Sequence, residues 1–356
     1  MTLRNAAGSL LVVGLGGAAL TSLERAWLRL VRPAGIILFR RNIADAAQTR
    51  ALLTEAAGLC TPHGLRCVDV EGGTVDRLRN ALAPMPSAQA VAKADLAREH
   101  GELVGRAVRA FGFNTTLAPV LDLALSGSCE VMGTRAASAT AEGVVHNARD
   151  FLRGLANENV AGCGKHFPGL GAGTKDSHLE TPAIDRSGKE LWSEDLAPYR
   201  ELRNELPMVM VNHAAYPQTP GGERPASVSQ YWITTVLRKR IGYKGIVFSD
   251  DLEMGGILKF MAIEEAVVAA VRAGMDLMEI CHNPELILRA YEALIAEAER
   301  SKAFAAILTA RAKRTTNLRA KLFSDAPARA LTARQFAALQ AQVVQFGNKV
   351  AEAQQG

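Results

Sequence analysis

Apolar residues recur along this chain in short, nearly continuous runs, each followed by a longer stretch in which they return every three or four positions. Short runs rich in Val, Ile and Leu fit buried strands, and the wider spacing fits helices that bury one face. Strands are therefore expected at Leu10–Gly14, Gly35–Phe39, Arg66–Val70, Thr115–Leu121, Val160–Lys165, Met208–Asn212, Gly245–Ser249 and Met275–Ile280. The clearest helices between them are Asp45–Leu59, Ala88–Ala110, Ala139–Glu158, Lys189–Asn204, Gln230–Arg240 and Ile263–Ala273, with further helical runs from Pro284 and from Ser301.

Strands that are apolar on both faces need cover on both faces, and intervening helices supply it in a parallel sheet. Eight such units predict an α/β fold, a (β/α)8 barrel of the TIM type in one domain over residues 1–322. A helical C-terminal tail, residues 323–356, follows, with Ala330–Ala353 rich in Ala and Gln. The pattern leaves open whether this tail packs on the barrel floor or at a subunit contact, and the oligomeric state is not read from it.

Composition narrows the class. Of 356 residues, 48% are apolar and 22% charged, which is ordinary for a globular protein with a sizeable core. The net charge of +5 is spread along the chain with no basic block interleaved with aromatics, so no nucleic-acid partner is expected. Five cysteines show neither CxxC spacing nor an even number, which fits reduced thiols and a cytoplasmic location better than a disulfide framework or a zinc site. Leu10 to Leu20, behind Arg4, superficially suggests a signal peptide but is too short to span a bilayer. A buried first strand with a Gly-rich turn is the better reading, and no membrane partner is expected.

In β/α barrels, active sites form at the C-terminal ends of the strands. Polar residues gather at four of these ends: Asp69 with Glu71, Lys165-His166, Asn212-His213 and Asp250-Asp251. The loop after the fifth strand carries Gly169, Gly171 and Gly173 and then Asp176-Ser177-His178. An Asp two residues before a His can fix the imidazole tautomer and raise its basicity, although this triplet read alone fits a helix cap better. Asp250 and Asp251 are neighbours on a strand, so only one is expected to face the pocket, the other capping a helix or bonding to backbone.

Gly14-Leu15-Gly16-Gly17-Ala18-Ala19 mimics a dinucleotide fingerprint, but the second strand ends in Arg40-Arg41 where that fingerprint needs an acidic residue. No Walker phosphate loop occurs, and the seven histidines include no HxH or HExxH. No cofactor and no metal are expected.

Two segments carry a resemblance: Lys165-His166-Phe167-Pro168-Gly169 followed by Asp176-Ser177-His178-Leu179-Glu180-Thr181-Pro182, and Phe248-Ser249-Asp250-Asp251-Leu252 with Met254. Val68-Asp69, Glu71-Gly72-Gly73, Leu117 to Asp122 and Arg224-Pro225-Ala226-Ser227 support it in the same order. Together they resemble the bacterial family 3 β-N-acetylglucosaminidases (β-hexosaminidases), the single-domain type that acts in peptidoglycan recycling. The resemblance implies a retaining glycosidase acting on a small carbohydrate, a terminal β-linked N-acetylglucosaminide. It implies Asp250 as nucleophile and His178 as acid/base partnered by Asp176, a departure from the usual two-carboxylate pair. It also implies Asp69, Arg77, Arg135, Lys165 and His166 as sugar contacts, with His213 second in rank; the lesser alternative for Arg77 and Arg135 is a salt bridge at the barrel rim. Three positions depart from the family pattern: Leu170 where a His is usual, Thr74 where an Arg follows Glu-Gly-Gly, and Ala136 after Arg135. The alternatives are a phosphorylase of the same glycosides and a non-catalytic sugar-binding barrel.

Overall fold

The structure is a computed structural model and describes residues 1–125, 132–173, 181–323 and 330–355. Eight parallel strands close into a barrel in chain order: β1 (Leu11–Gly14), β2 (Gly35–Leu38), β3 (Leu65–Val68), β4 (Thr115–Thr116), β5 (Ala161–Phe167), β6 (Met208–Val211), β7 (Ile246–Asp251) and β8 (Leu277–Ile280). Closure is made by β1 against β8, with Leu11 opposite Met278. Alternate residues of each strand fill the lumen, among them Val12, Ile37, Cys67, Cys163, Met208, Phe248 and Leu277. The opposite faces pack on the helix ring in a second apolar layer that includes Val13, Ile36, Val209, Val247 and Met278. This division explains why the strands carry apolar residues on both faces.

Several elements differ from expectation. The fourth strand ladder is only two residues long, Thr115–Thr116, where the expectation ran to Leu121. The chain nevertheless continues beside β5, where Pro119 O accepts from Lys165 N at 3.1 Å. The helix expected over Ala88–Ala110 is broken at Asp95, whose φ of 53° is left-handed, into Ala88–Lys93 and Ala97–Ala110. The one expected over Lys189–Asn204 likewise divides into Gly188–Ser193 and Ala197–Glu201.

The Gly-rich turn after β1 leads into a helix, Ser22–Val31, that periodicity did not single out. Thr21 and Glu24 form its capping box, and Glu24 Oε1 also accepts the Gly16 N–H at 2.8 Å. The amide that a dinucleotide phosphate would need is therefore already bonded. Leu10 is buried and leads directly into β1, as the strand reading required.

The tail helix, Ala333–Glu352, lies along Ala97–Ala110 on the barrel's flank. It buries Leu339, Val343, Phe346 and Val350, and the Phe346 ring stacks on His100 at 5.8 Å. Among the described residues no helix is long and apolar enough to cross a membrane.

Candidate active site

A cavity of about 390 Å³ opens at the C-terminal ends of the strands and is bordered by residues on or just beyond β2 to β8. Strand alternation accounts for part of its lining. Cys67 faces the lumen, so Asp69, two residues on, rises above it; Cys163 and Lys165 repeat the pattern on β5, and Phe248 and Asp250 on β7.

Alternation fails at two places, and both matter. The pairing of β5 with β6 shifts register between Gly164 and Phe167, and β7 shifts against β8 between Leu277 and Glu279. A bulge lets consecutive residues reach the same side. Lys165 and His166 both border the cavity, and so do Asp250 and Asp251. The expectation that only one of the two aspartates faces the pocket is thus corrected: the strand does not continue in register past Asp250. Asp251 also bonds backbone, accepting from Glu253 N at 3.0 Å.

The cationic side chains are locked by carboxylates. Lys165 Nζ lies 3.0 Å from Asp69 Oδ1 and 2.5 Å from Glu71 Oε1. Arg135 holds Glu71 in a bidentate pair at 2.8 and 2.9 Å, and Arg77 stands 3.5 Å from Asp69. The rim salt bridges considered for Arg77 and Arg135 exist, and both residues border the cavity as well. Burial alone would lower the Lys165 pKa, but Asp69 and Glu71 outweigh it and hold the ammonium above its ordinary value. Burial would conversely raise Glu71, yet Arg135 and Lys165 keep it far below the carboxylate range.

Glu71 is placed by the tight turn after β3, a two-stranded hairpin of Val70–Gly72 and Val75–Asp76. At Gly72, φ is 94°, and a Cβ would sit 2.0 Å from Pro86 O, so only glycine fits.

His166 is fixed from behind. Its Nδ1 lies 2.7 Å from Asp122 Oδ2, and its main-chain N–H donates to the same oxygen at 3.1 Å. The other Asp122 oxygen accepts the Leu170 N–H at 2.6 Å, tying the start of the following loop to the site. Leu170 thus contributes an amide and an apolar wall where the family pattern has a histidine.

Asp250 follows the same logic. Burial pushes its pKa up, but His166, His213, the Asp251 N–H and Lys165 more than offset this and hold it below the usual carboxylate value. His213 does not border the cavity. It is buried between Ser227 Oγ at 2.7 Å and Asp251 O at 3.0 Å, and so buttresses the end of β7.

Asp176 and His178 fall in 174–180, outside the described residues. Thr181, just beyond, donates to Gly256 O at 2.6 Å in the region after β7.

The sequence reading placed Glu71 at a strand end without giving it a role and assigned none to Asp122, Glu279, Cys281 or His282, although all but Asp122 border the cavity. One signal was available: Glu279 is a carboxylate inside an otherwise apolar strand, where an unpaired charge is costly. As to metals, Asp251, Cys281 and His282 bring three donor atoms together.

The carboxylate-locked cations and Asp250 thus share one cavity at the mouth of a β/α barrel, and the chain belongs to glycosyl hydrolase family 3. Residues 2–318 match the glycosyl hydrolase family 3 N-terminal domain. A β-hexosaminidase of Alkalilimnicola ehrlichii is 38% identical over 287 residues, 78% of this chain and 82% of that protein. Among solved structures, a family 3 β-N-acetylglucosaminidase from a Paenibacillus species superposes with a TM-score of 0.86 at 32% identity, covering 96% of this chain and 68% of that one. NagZ from Neisseria gonorrhoeae superposes with a TM-score of 0.76 at 30% identity, covering 95% and 97%.

Proposed function

We propose that this protein is a retaining β-N-acetylhexosaminidase that removes terminal β-linked N-acetylglucosamine, with cell-wall fragments as its substrates. The observation that carries this reading is the placement of Asp250 at the edge of a cavity whose other polar groups, Asp69, Arg77, Arg135, Lys165 and His166, suit sugar hydroxyls. Asp69 accepts from Lys165 and stands beside Arg77 with lone pairs to spare for hydroxyl donors, while Arg77, Arg135, Lys165 and His166 offer N–H groups to hydroxyl or acetamido oxygens.

In the first step an Asp250 oxygen bonds to the anomeric carbon as the glycosidic C–O bond breaks, and His178 gives its proton to the leaving oxygen. In the second, His178 takes a proton from water, whose oxygen displaces Asp250 and restores both groups. Asp176 keeps the His178 imidazole in the required tautomer. The names of the relatives support the substrate class, and the sequence match of 176–178 supports the dyad.

The test is hydrolysis of nitrophenyl glycosides by the purified protein. Release from the β-N-acetylglucosaminide with little from the β-glucoside is expected; no turnover of the acetamido substrate by folded protein overturns the reading and favours a binding protein. His178→Ala should slow substrates with poor leaving groups far more than activated ones. Added phosphate should leave free N-acetylglucosamine as the product, since accumulation of the 1-phosphate would mean phosphorolysis.

A further inference from the structure

At the mouth of the cavity, Glu279, Cys281 and His282 from the end of β8 meet Asp251 and Glu253 from the end of β7. Cys281 Sγ, a His282 ring nitrogen and an Asp251 carboxylate oxygen lie within 4.8 Å of one another. His282 Nδ1 is 3.5 Å from Asp251 Oδ2 and 3.2 Å from Glu253 Oε2. The Cys281 thiol donates to Glu279 Oε1 at 2.9 Å, and the second Glu279 oxygen is buried with no hydrogen-bond partner.

Charge is out of balance here. Among the described residues, His282 is the sole basic side chain in an ion pair with Asp251 or Glu253, and Glu279 has none. Arg41 meets this cluster at the main chain, donating to Cys281 O at 2.7 Å, and stacks over the Phe39 ring. Two carboxylates, a thiol and the Glu279 carboxyl group, which burial pushes toward its neutral form, therefore share one imidazole, in a setting where an orphaned buried carboxyl oxygen is costly.

We propose that Asp251, Cys281 and His282 bind a soft divalent cation of the zinc class, with water completing the tetrahedral set. A thiolate, an imidazole and carboxylate oxygens form a mixed set that suits zinc-like ions, whereas magnesium and calcium favour oxygen donors alone. Metal–ligand bonds of ~2.0–2.3 Å put tetrahedral donors roughly 3.3–3.8 Å apart. The trio must contract by about 1 Å, and His282, with 52% of its side chain exposed, is free to make that movement. As the Sγ–metal bond forms, the thiol proton leaves to solvent and the hydrogen bond from Cys281 to Glu279 Oε1 is given up. The spacing rules applied to the sequence miss this set, because Asp251 comes from the neighbouring strand.

Cobalt(II) is the probe, since it takes zinc-like geometry and reports a thiolate ligand optically. Titrating the full chain should give one equivalent of binding, a near-ultraviolet thiolate-to-cobalt band and visible bands of a tetrahedral ion, all removed by added zinc. Cys281→Ser should lose the near-ultraviolet band, and His282→Ala, on a half-exposed side chain, should weaken cobalt binding at least tenfold by equilibrium dialysis. Asp250→Asn should retain the band, which separates this site from any metal held by the proposed nucleophile. No band in wild-type protein at excess cobalt, or the same band in Cys281→Ser, overturns the proposal. If Cys281→Ser does not fold, unchanged cobalt affinity in His282→Ala does so by itself.

Discussion

The two ends of the barrel are both charged, yet they are built for different ends. At the N-terminal foot, Asp276 is fully buried just before β8; Arg238 pairs with it directly, and Arg311 and Arg314 stand 3.6 and 3.4 Å away. The same carboxylate accepts Val247 N at 3.0 Å, so it staples β7 to β8. One acid meets three bases. At the C-terminal mouth, acids and bases interleave around open space, and each group that is anchored on one side keeps capacity on the other. The difference teaches that a buried ion cluster is not in itself a functional sign: closure around a single carboxylate suits stability, and spare donors facing a cavity suit binding.

Substitutions at the two ends should separate these roles. Asp250→Asn should cut turnover of the nitrophenyl acetamido glycoside by roughly 10⁴-fold or more while leaving the denaturation midpoint in place. Asp276→Ala should do the converse. It leaves three guanidinium groups around an empty buried position and should cost about 3–5 kcal/mol by denaturant titration, with turnover per folded molecule unchanged. A large loss of turnover in folded Asp276→Ala would break the comparison.

A third region, the seam under the tail helix, responds to pH. Burial pushes the His100 pKa down to about 4 from 6.5, so the folded protein holds this imidazole neutral. Between those values the unfolded chain binds the extra proton, and stability falls as pH falls, by up to ~1.4 kcal/mol per pH unit from this group. Wild-type protein should therefore lose more Tm between pH 7 and pH 4.5 than His100→Gln does; equal losses would place the acid sensitivity elsewhere. The smallest effect is expected from Asp251→Asn. Its main-chain contacts to Asp250 and His213 survive the change, so turnover should stay within about tenfold of wild type, measured as kcat/KM.

The barrel was legible because each strand is apolar on both faces and each helix on one. Asp69, Lys165 and Asp250 were legible for a related reason, since they break apolar runs at strand ends. What periodicity could not supply was the pair of register shifts. They place His166 beside Lys165 and Asp251 beside Asp250, and a period-two reading assigns one member of each pair to the wrong face. Asp122 was hidden differently: it bonds behind His166 rather than facing the cavity, from a stretch beyond the end of the β4 ladder. The short helices at Leu3–Gly8 and Ser22–Val31 were missed because too few turns carry a clear apolar stripe or because Gly-rich sequence precedes them.

Barrel closure also has a history in time. β1 pairs on one side with β2 and on the other with β8, and the helix Leu3–Gly8 rests against Pro284–Arg300 and Lys302–Leu322. At about 5–20 residues per second, a ribosome delivers β8 roughly 10–50 s after β1. During that interval the first strand presents an open apolar edge, a template for pairing with other chains. Newly made protein should thus depend on the last third of its sequence to protect the first, and the risk of aggregation ends only when Leu11 finds Met278.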